Sequence, residues 1–128
     1  MSLDVVAEVE RQHRLLASWL SSTAGPSVLE ALRAAHTDGF SMVTADGHVL
    51  DRPALLDWLA GAGNSRPGLR ILTSDVAVVA DLDASVLVRF LETHVEQGHT
   101  SSRRVTALLR RDRTVLRWAH VQETPLPA

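Results

Sequence analysis

HTDGFSMVTADGHVLDRPALLDWL, residues 36–59, carries the chain through a hairpin and straight into a helix. His36 to Thr44 has the apolar content of a strand, and Ala45-Asp46-Gly47 follows it. An Asp-Gly pair tolerates positive φ at both central turn positions, which is what a tight hairpin demands. His48-Val49-Leu50 is short enough to be only the returning partner. Asp51 is then placed to cap a helix, with Pro53 in the first turn, where its missing N–H costs little. Leu55, Leu56 and Leu59 form the buried stripe of that helix, and Gly61-Ala62-Gly63-Asn64 ends it.

Upstream, residues 3–21 place Val5, Val6, Val9, Leu16, Trp19 and Leu20 at helical spacing, with Glu8, Glu10, Arg11 and Arg14 on the other side. Gly25-Pro26 stops that helix. Ser27 and Glu30 have the spacing of a capping box and predict a short second helix through about Ala34. Downstream, 69–80, 85–95, 101–111 and 114–123 are runs rich in β-branched residues, separated by short polar turns. Each run can pair with the one before it, so the expectation is an antiparallel meander, with Pro125 and Pro127 closing it. Helices first and strands afterwards is an α+β order, with the helices covering one face of the sheet.

Composition removes several chemistries. At 128 residues the chain has the length of one domain, spanning 1–128. It holds no cysteine and no tyrosine, and every one of its 13 basic residues is arginine. Thiolate nucleophiles, sulfur-ligated metals and lysine Schiff bases are therefore excluded. A net charge of −2 argues against nucleic acid, which calls for a clustered basic surface. The cluster Arg110, Arg111 and Arg113 reads as a solvated hairpin end. No apolar run reaches the roughly 18–20 residues of a membrane span. Asp4, Glu8 and Glu10 interrupt any leader-like stretch, so a cytoplasmic location is expected.

The order of elements resembles the nuclear-transport-factor-two-like superfamily, including its SnoaL-like and related uncharacterised bacterial members. Residues 36–59 are similar to that superfamily's strand, glycine turn, short strand and helix. SSRRVTALLRRDRTVLRWAHVQET, residues 101–124, is similar to its last hairpin. The association domain of calcium/calmodulin-dependent kinase carries a like hairpin, with an arginine mid-strand as Arg89 is in VLVRFLET. The resemblance implies a cone: a curved antiparallel sheet with the N-terminal helices on its concave face, enclosing a pocket. It also implies a family of many functions on one scaffold. Ketosteroid isomerases of the superfamily use an aspartate near the end of the first strand and a tyrosine oxyanion donor. Here FSMVT offers Val43 and Thr44 in that stretch, so that chemistry is not expected.

Period-two alternation on 85–95 puts Leu87, Arg89, Leu91 and Thr93 on one face, and Val86, Val88, Phe90, Glu92 and His94 on the other. The first face is expected to line the pocket and the second to meet another copy of the chain in a homodimer. An arginine in so apolar a run needs a partner. Either an internal carboxylate (Glu123, Asp75 or Asp38) meets Arg89, or Arg89 and Arg104 fork an acidic ligand. Arg104 is preferred to Arg103 because Thr106 and Leu108 share its face, a choice that a one-residue slip would invert. Phe40, Trp58 and Trp118 are the aromatic candidates for the pocket wall.

His36, beside Asp38, and His120 are the candidate proton-transfer groups, since an imidazole works as acid or base near neutrality. Each reads equally as a histidine bonded to its neighbours. His13, His48, His94 and His99 read as surface or turn residues, and no histidine spacing predicts a metal site. No cofactor fingerprint is present. Three functions follow: a module binding a small organic ligand, acidic where Arg89 and Arg104 fork it; an isomerase, cyclase or dehydratase using His36, Asp38 and His120; or an oligomerisation module. The binding module is the preferred expectation.

Overall fold

The computed structural model describes residues 2–127. Helix α1 spans Ser2–Ser21 and α2 Pro26–Ala34, followed by β1 at His36–Val43 and β2 at Val49–Asp51. Helix α3 is Arg52–Gly61, and the chain ends in β3 (Arg70–Asp81), β4 (Ser85–Glu96), β5 (His99–Asp112) and β6 (Val115–Pro125). The strands form one six-stranded sheet in the order β2-β1-β6-β5-β4-β3. The long meander β3–β6 is antiparallel, as is the β1–β2 hairpin. The expectation of a wholly antiparallel sheet needs one correction: β1 lies parallel to β6. The intervening chain, from α3 through the meander, returns β6 alongside β1 in the same direction. The sheet is thus mixed and does not close, and with its helices it forms the cone-like α+β arrangement.

Local chemistry sets the element ends. Asp51 caps α3, its Oδ1 accepting from the Ala54 N–H at 3.0 Å. Gly47 has φ +89° in the β1–β2 turn, where the Thr44 N–H donates to the His48 carbonyl at 2.8 Å. The capping box expected at Ser27 and Glu30 is not used. Gly25 is the N-cap of α2 without a side-chain bond, and Pro26 takes the first helical turn, so Ser27 already lies inside the helix.

The core is built from the face of β4 that was expected to meet another copy. Val86, Val88 and Phe90 are at most 1% exposed and pack with Val5, Val9, Leu32, Leu55, Leu59, Val105, Leu109 and Trp118. Arg89 points the other way and is exposed. No buried partner is therefore required for it, and Asp75 lies near Arg104 instead, at 3.8 Å. Both alternate faces of β4 carry aliphatic residues, so alternation defined two faces without saying which one the helices cover. The helices cover the more apolar one.

Candidate functional site

A cavity of about 620 Å³ lies between the inner sheet face and the helices. Leu16 and Leu20 from α1, Leu32 from α2, Leu55 and Leu59 from α3, and Phe40, Met42 and Val121 from the sheet give it an apolar wall. Trp118 also lines it and is 2% exposed, its indole N–H donating to Glu8 at 2.9 Å. Trp58 lines it from α3 while remaining half exposed, beside the exposed Asp46 and His48. Volume and lining suit a small organic molecule, since ligand sites are mostly apolar clefts of ~300–1,000 Å³ with a few placed polar groups.

Three polar clusters interrupt the apolar wall. The first is His36 with Gln12. His36 Nδ1 lies 2.7 Å from the Leu32 carbonyl, which can only accept, so Nδ1 carries the proton. Burial holds this imidazole below its ordinary 6.5, overriding the pull of that bond, and nearby Arg52 and Arg117 act the same way as burial. His36 is therefore neutral at pH 7, with a lone pair on Nε2.

The second cluster centres on Glu92, which is 4% exposed. It receives His13 Nε2–H at 3.0 Å and His94 Nε2–H at 2.6 Å. Burial alone would raise Glu92, but these two hydrogen bonds hold its carboxyl well below the usual range. His13 Nδ1 also donates, to the Val9 carbonyl at 2.7 Å, so both ring nitrogens carry protons and the ring is an imidazolium. Burial opposes that charge, yet the bond and the attraction to Glu92 raise His13 above its ordinary value. On the far side, Arg66 Nη1 is 3.5 Å from His94 Nδ1, while its Nη2 donates to Glu96 at 2.8 Å. The third cluster is Arg103 with Glu123, 3.4 Å apart, where Glu123 also accepts from the Ala45 N–H at 3.1 Å.

The expected site residues separate into two groups. His36, Phe40, Trp58 and Trp118 line the cavity. Leu91, Thr93, Arg104 and Thr106 share the outer face with Arg89, because Arg89 pairs with Thr106 and Leu91 with Arg104 across β4 and β5. The β5 arginine at the cavity is Arg103, one position from the expected Arg104, and Arg66 joins it there. His120 opposes Ser41 in the β1–β6 pairing and bonds its Oγ at 2.9 Å, away from the cavity wall, and Asp38 is exposed. His36 and His120 therefore do not meet in one cavity, and a mechanism using both loses its geometry. Gln12, Glu92 and His94 were missed, and His13 and His94 are buried instead of lying at the surface. The signal for them was present: Glu92 and His94 continue the alternate positions of Val86, Val88 and Phe90.

A second recess, between α1, α2 and the β5–β6 turn, is lined by Glu8, Arg11, Arg111, Asp112 and Arg117 among others. Its charges are largely matched internally, with Arg11 on Glu8, Arg117 on Asp112 and Arg111 on Asp81. Among the described residues no group of acidic and histidine side chains is arranged to hold a metal ion. Among the described residues no helix is long and apolar enough to cross a membrane.

No protein-family model matches this sequence. No curated protein matches it either. Solved structures do. A dehydratase, provisionally so described, of the NTF2-like family from Streptomyces avermitilis is 18% identical, with a TM-score of 0.73 over 99% of this chain and 94% of that one. A provisionally described calcium/calmodulin-dependent kinase II association domain from Exiguobacterium sibiricum is 16% identical, with a TM-score of 0.69 over 99% and 94%. These two share the fold alone. An NTF-2 like protein of unknown function from Pseudomonas aeruginosa is 32% identical over 97% of this chain and 99% of its own, with a TM-score of 0.92. At that identity over almost the full length of both proteins, the chain belongs to the NTF2-like family, as a member whose specific activity is unassigned.

Proposed function

We propose that this domain binds a small, mainly apolar organic molecule in the cavity between sheet and helices, without chemistry of its own. The observation that carries the reading is the cavity itself: about 620 Å³ of space walled by leucine, phenylalanine and tryptophan, with a few buried polar groups. The neighbours described as a dehydratase and an association domain are too distant to transfer an activity. A proton-transfer reaction has narrower support, since His36 lacks His120 or Asp38 as a partner at the cavity. An acidic ligand is less favoured than the sequence implied, because Arg66 and Arg103 at the cavity already face Glu96 and Glu123. A cytoplasmic location is kept as part of the same reading, consistent with a chain free of cysteine.

Trp118 and Trp58 supply the probe for the test. Titration with two-ring aromatic compounds should change tryptophan emission with dissociation constants in the micromolar range, and Val121→Trp, which fills the cavity, should abolish the response. No response from any compound in a broad apolar panel would overturn the reading.

The homodimer belongs to the same proposal, now on the opposite face of the sheet. Leu87 and Leu108 pair directly across β4 and β5 on the outer face, and Leu91 shares it, each only partly covered. A second copy over these residues would remove apolar surface from water. Light scattering at micromolar concentration should give twice the chain mass, falling to the monomer in Leu91→Arg; a monomeric wild type would refute it.

A further inference from the structure

We infer that Gln12, held in orientation by His36, forms a hydrogen-bond-accepting subsite in the cavity, which selects neutral ligands carrying a hydroxyl or N–H donor over methylated and anionic counterparts. The inference rests on the cavity being a ligand site and adds the chemistry that the ligand must bring.

Gln12 is 7% exposed and lines the cavity from α1. Its Nε2 lies 3.5 Å from His36 Nε2. That orientation of the amide follows from the imidazole: Nδ1–H is committed to the Leu32 carbonyl, so Nε2 presents a lone pair, and only the NH₂ end of Gln12 can face it. The amide oxygen is then turned away, and among the described residues Gln12 Oε1 has no hydrogen-bond partner although it is buried. A buried carbonyl oxygen without a donor is costly, and buried polar groups rarely stay unmatched.

The group that would satisfy Oε1 is a donor. An alcohol, phenol or N–H in the cavity supplies that donor to Gln12 Oε1, while the one lone pair of His36 Nε2 stays on the Gln12 amide and holds its orientation. An ether brings no proton. A carboxylate brings further lone pairs toward the Gln12 oxygen, in a cavity that Glu92 also lines. The arginines that might have rescued an anion are paired elsewhere. A site built to bond a donor discriminates more sharply against the analogue lacking it than an apolar wall discriminates by shape.

The experiment compares 2-naphthol, 2-methoxynaphthalene, naphthalene and 2-naphthoate, by tryptophan emission and calorimetry at pH 7, on the wild type and on Gln12→Met, His36→Phe and Val121→Trp. The wild type should bind 2-naphthol about 10-fold more tightly than the other three. Gln12→Met and His36→Phe should each shrink that preference to about 3-fold or less, read as the ratio of 2-naphthol to 2-methoxynaphthalene affinity within the same variant. The wild-type series stands without any variant, so a substitution that fails to fold leaves the inference exposed to refutation. Affinities within about 3-fold of one another across the wild-type series, or tightest binding of 2-naphthoate, would overturn the acceptor subsite and leave the binding cavity intact. Absence of binding by all four compounds would remove the cavity reading and this inference together.

Discussion

Glu92 is the buried carboxylate on which the polar half of the cavity depends. Its two oxygens are divided between His13 and His94, and His13 carries a full charge because both its nitrogens donate. Hydrogen bonds to charged groups are about twice as strong as neutral ones, and here they sit in a low dielectric. Removing one member of such a set leaves the other charged group desolvated and alone, the costliest outcome for a buried pair. Glu92→Ala should therefore lower unfolding free energy by about 3–5 kcal/mol in urea titrations at pH 6.5. Glu92→Gln keeps the shape and one acceptor, so it should lose less. A change below about 1 kcal/mol for the alanine variant would mean that the His13 interaction is not formed in solution.

At the scale of elements, β3 pairs irregularly with β4, the register shifting between Ser74 and Ala77 and again between Val78 and Ala80. Asp75 sits in the first irregularity at φ +55°, a conformation that an aspartate tolerates and a β-branched residue does not. Asp75→Val should cost roughly 1–2 kcal/mol, while Asp75→Gly should be neutral or stabilising despite losing the long contact to Arg104. Equal stabilities of the two variants by thermal melts would refute the strain argument. The same strands explain what the sequence made legible. The Asp-Gly turn, the Asp51 cap and the four long β-branched runs each act locally, so element order could be read along the sequence. Facing was different. In β4, Leu87 and Leu91 on one side and Val86, Val88 and Phe90 on the other are all aliphatic or aromatic, and only the packing of α1 decides between them. That single inversion moved Arg89 and Arg104 outward and brought Glu92, His94 and Arg103 to the cavity. Gln12 and His13 carried no signal of their own, because a polar residue within a helical stripe gains meaning only from its partner on the sheet.

Across the whole molecule, three buried groups and the partly buried Glu123 shape the dependence of stability on pH. His13 has a raised folded value, so its contribution is complete below its ordinary 6.5 and is lost as pH climbs through the folded value. His36 has a lowered one, and there the unfolded chain binds the proton first. Its contribution is complete above 6.5 and is lost as pH falls toward the depressed value. Glu92 adds a loss at lower pH, below its ordinary 4.5. Glu123, raised first by burial and then by the charge of Glu92, works against the acid flank just above 4.5. The two histidine windows lie on opposite sides of 6.5 and do not cancel, so stability should peak near that pH. Each flank should slope by at most about 1.4 kcal/mol per pH unit for one proton. His36→Phe should flatten the acid flank between pH 5.5 and 6.5 and leave the alkaline one. Glu92→Gln should flatten the alkaline flank and steepen the acid one, because without the carboxylate burial dominates His13 and lowers it below its ordinary value, as it does His36. Urea midpoints measured from pH 5 to 9 on the three proteins would separate these effects; a wild-type profile that is flat through this range would show that the imidazoles do not titrate as their surroundings dictate.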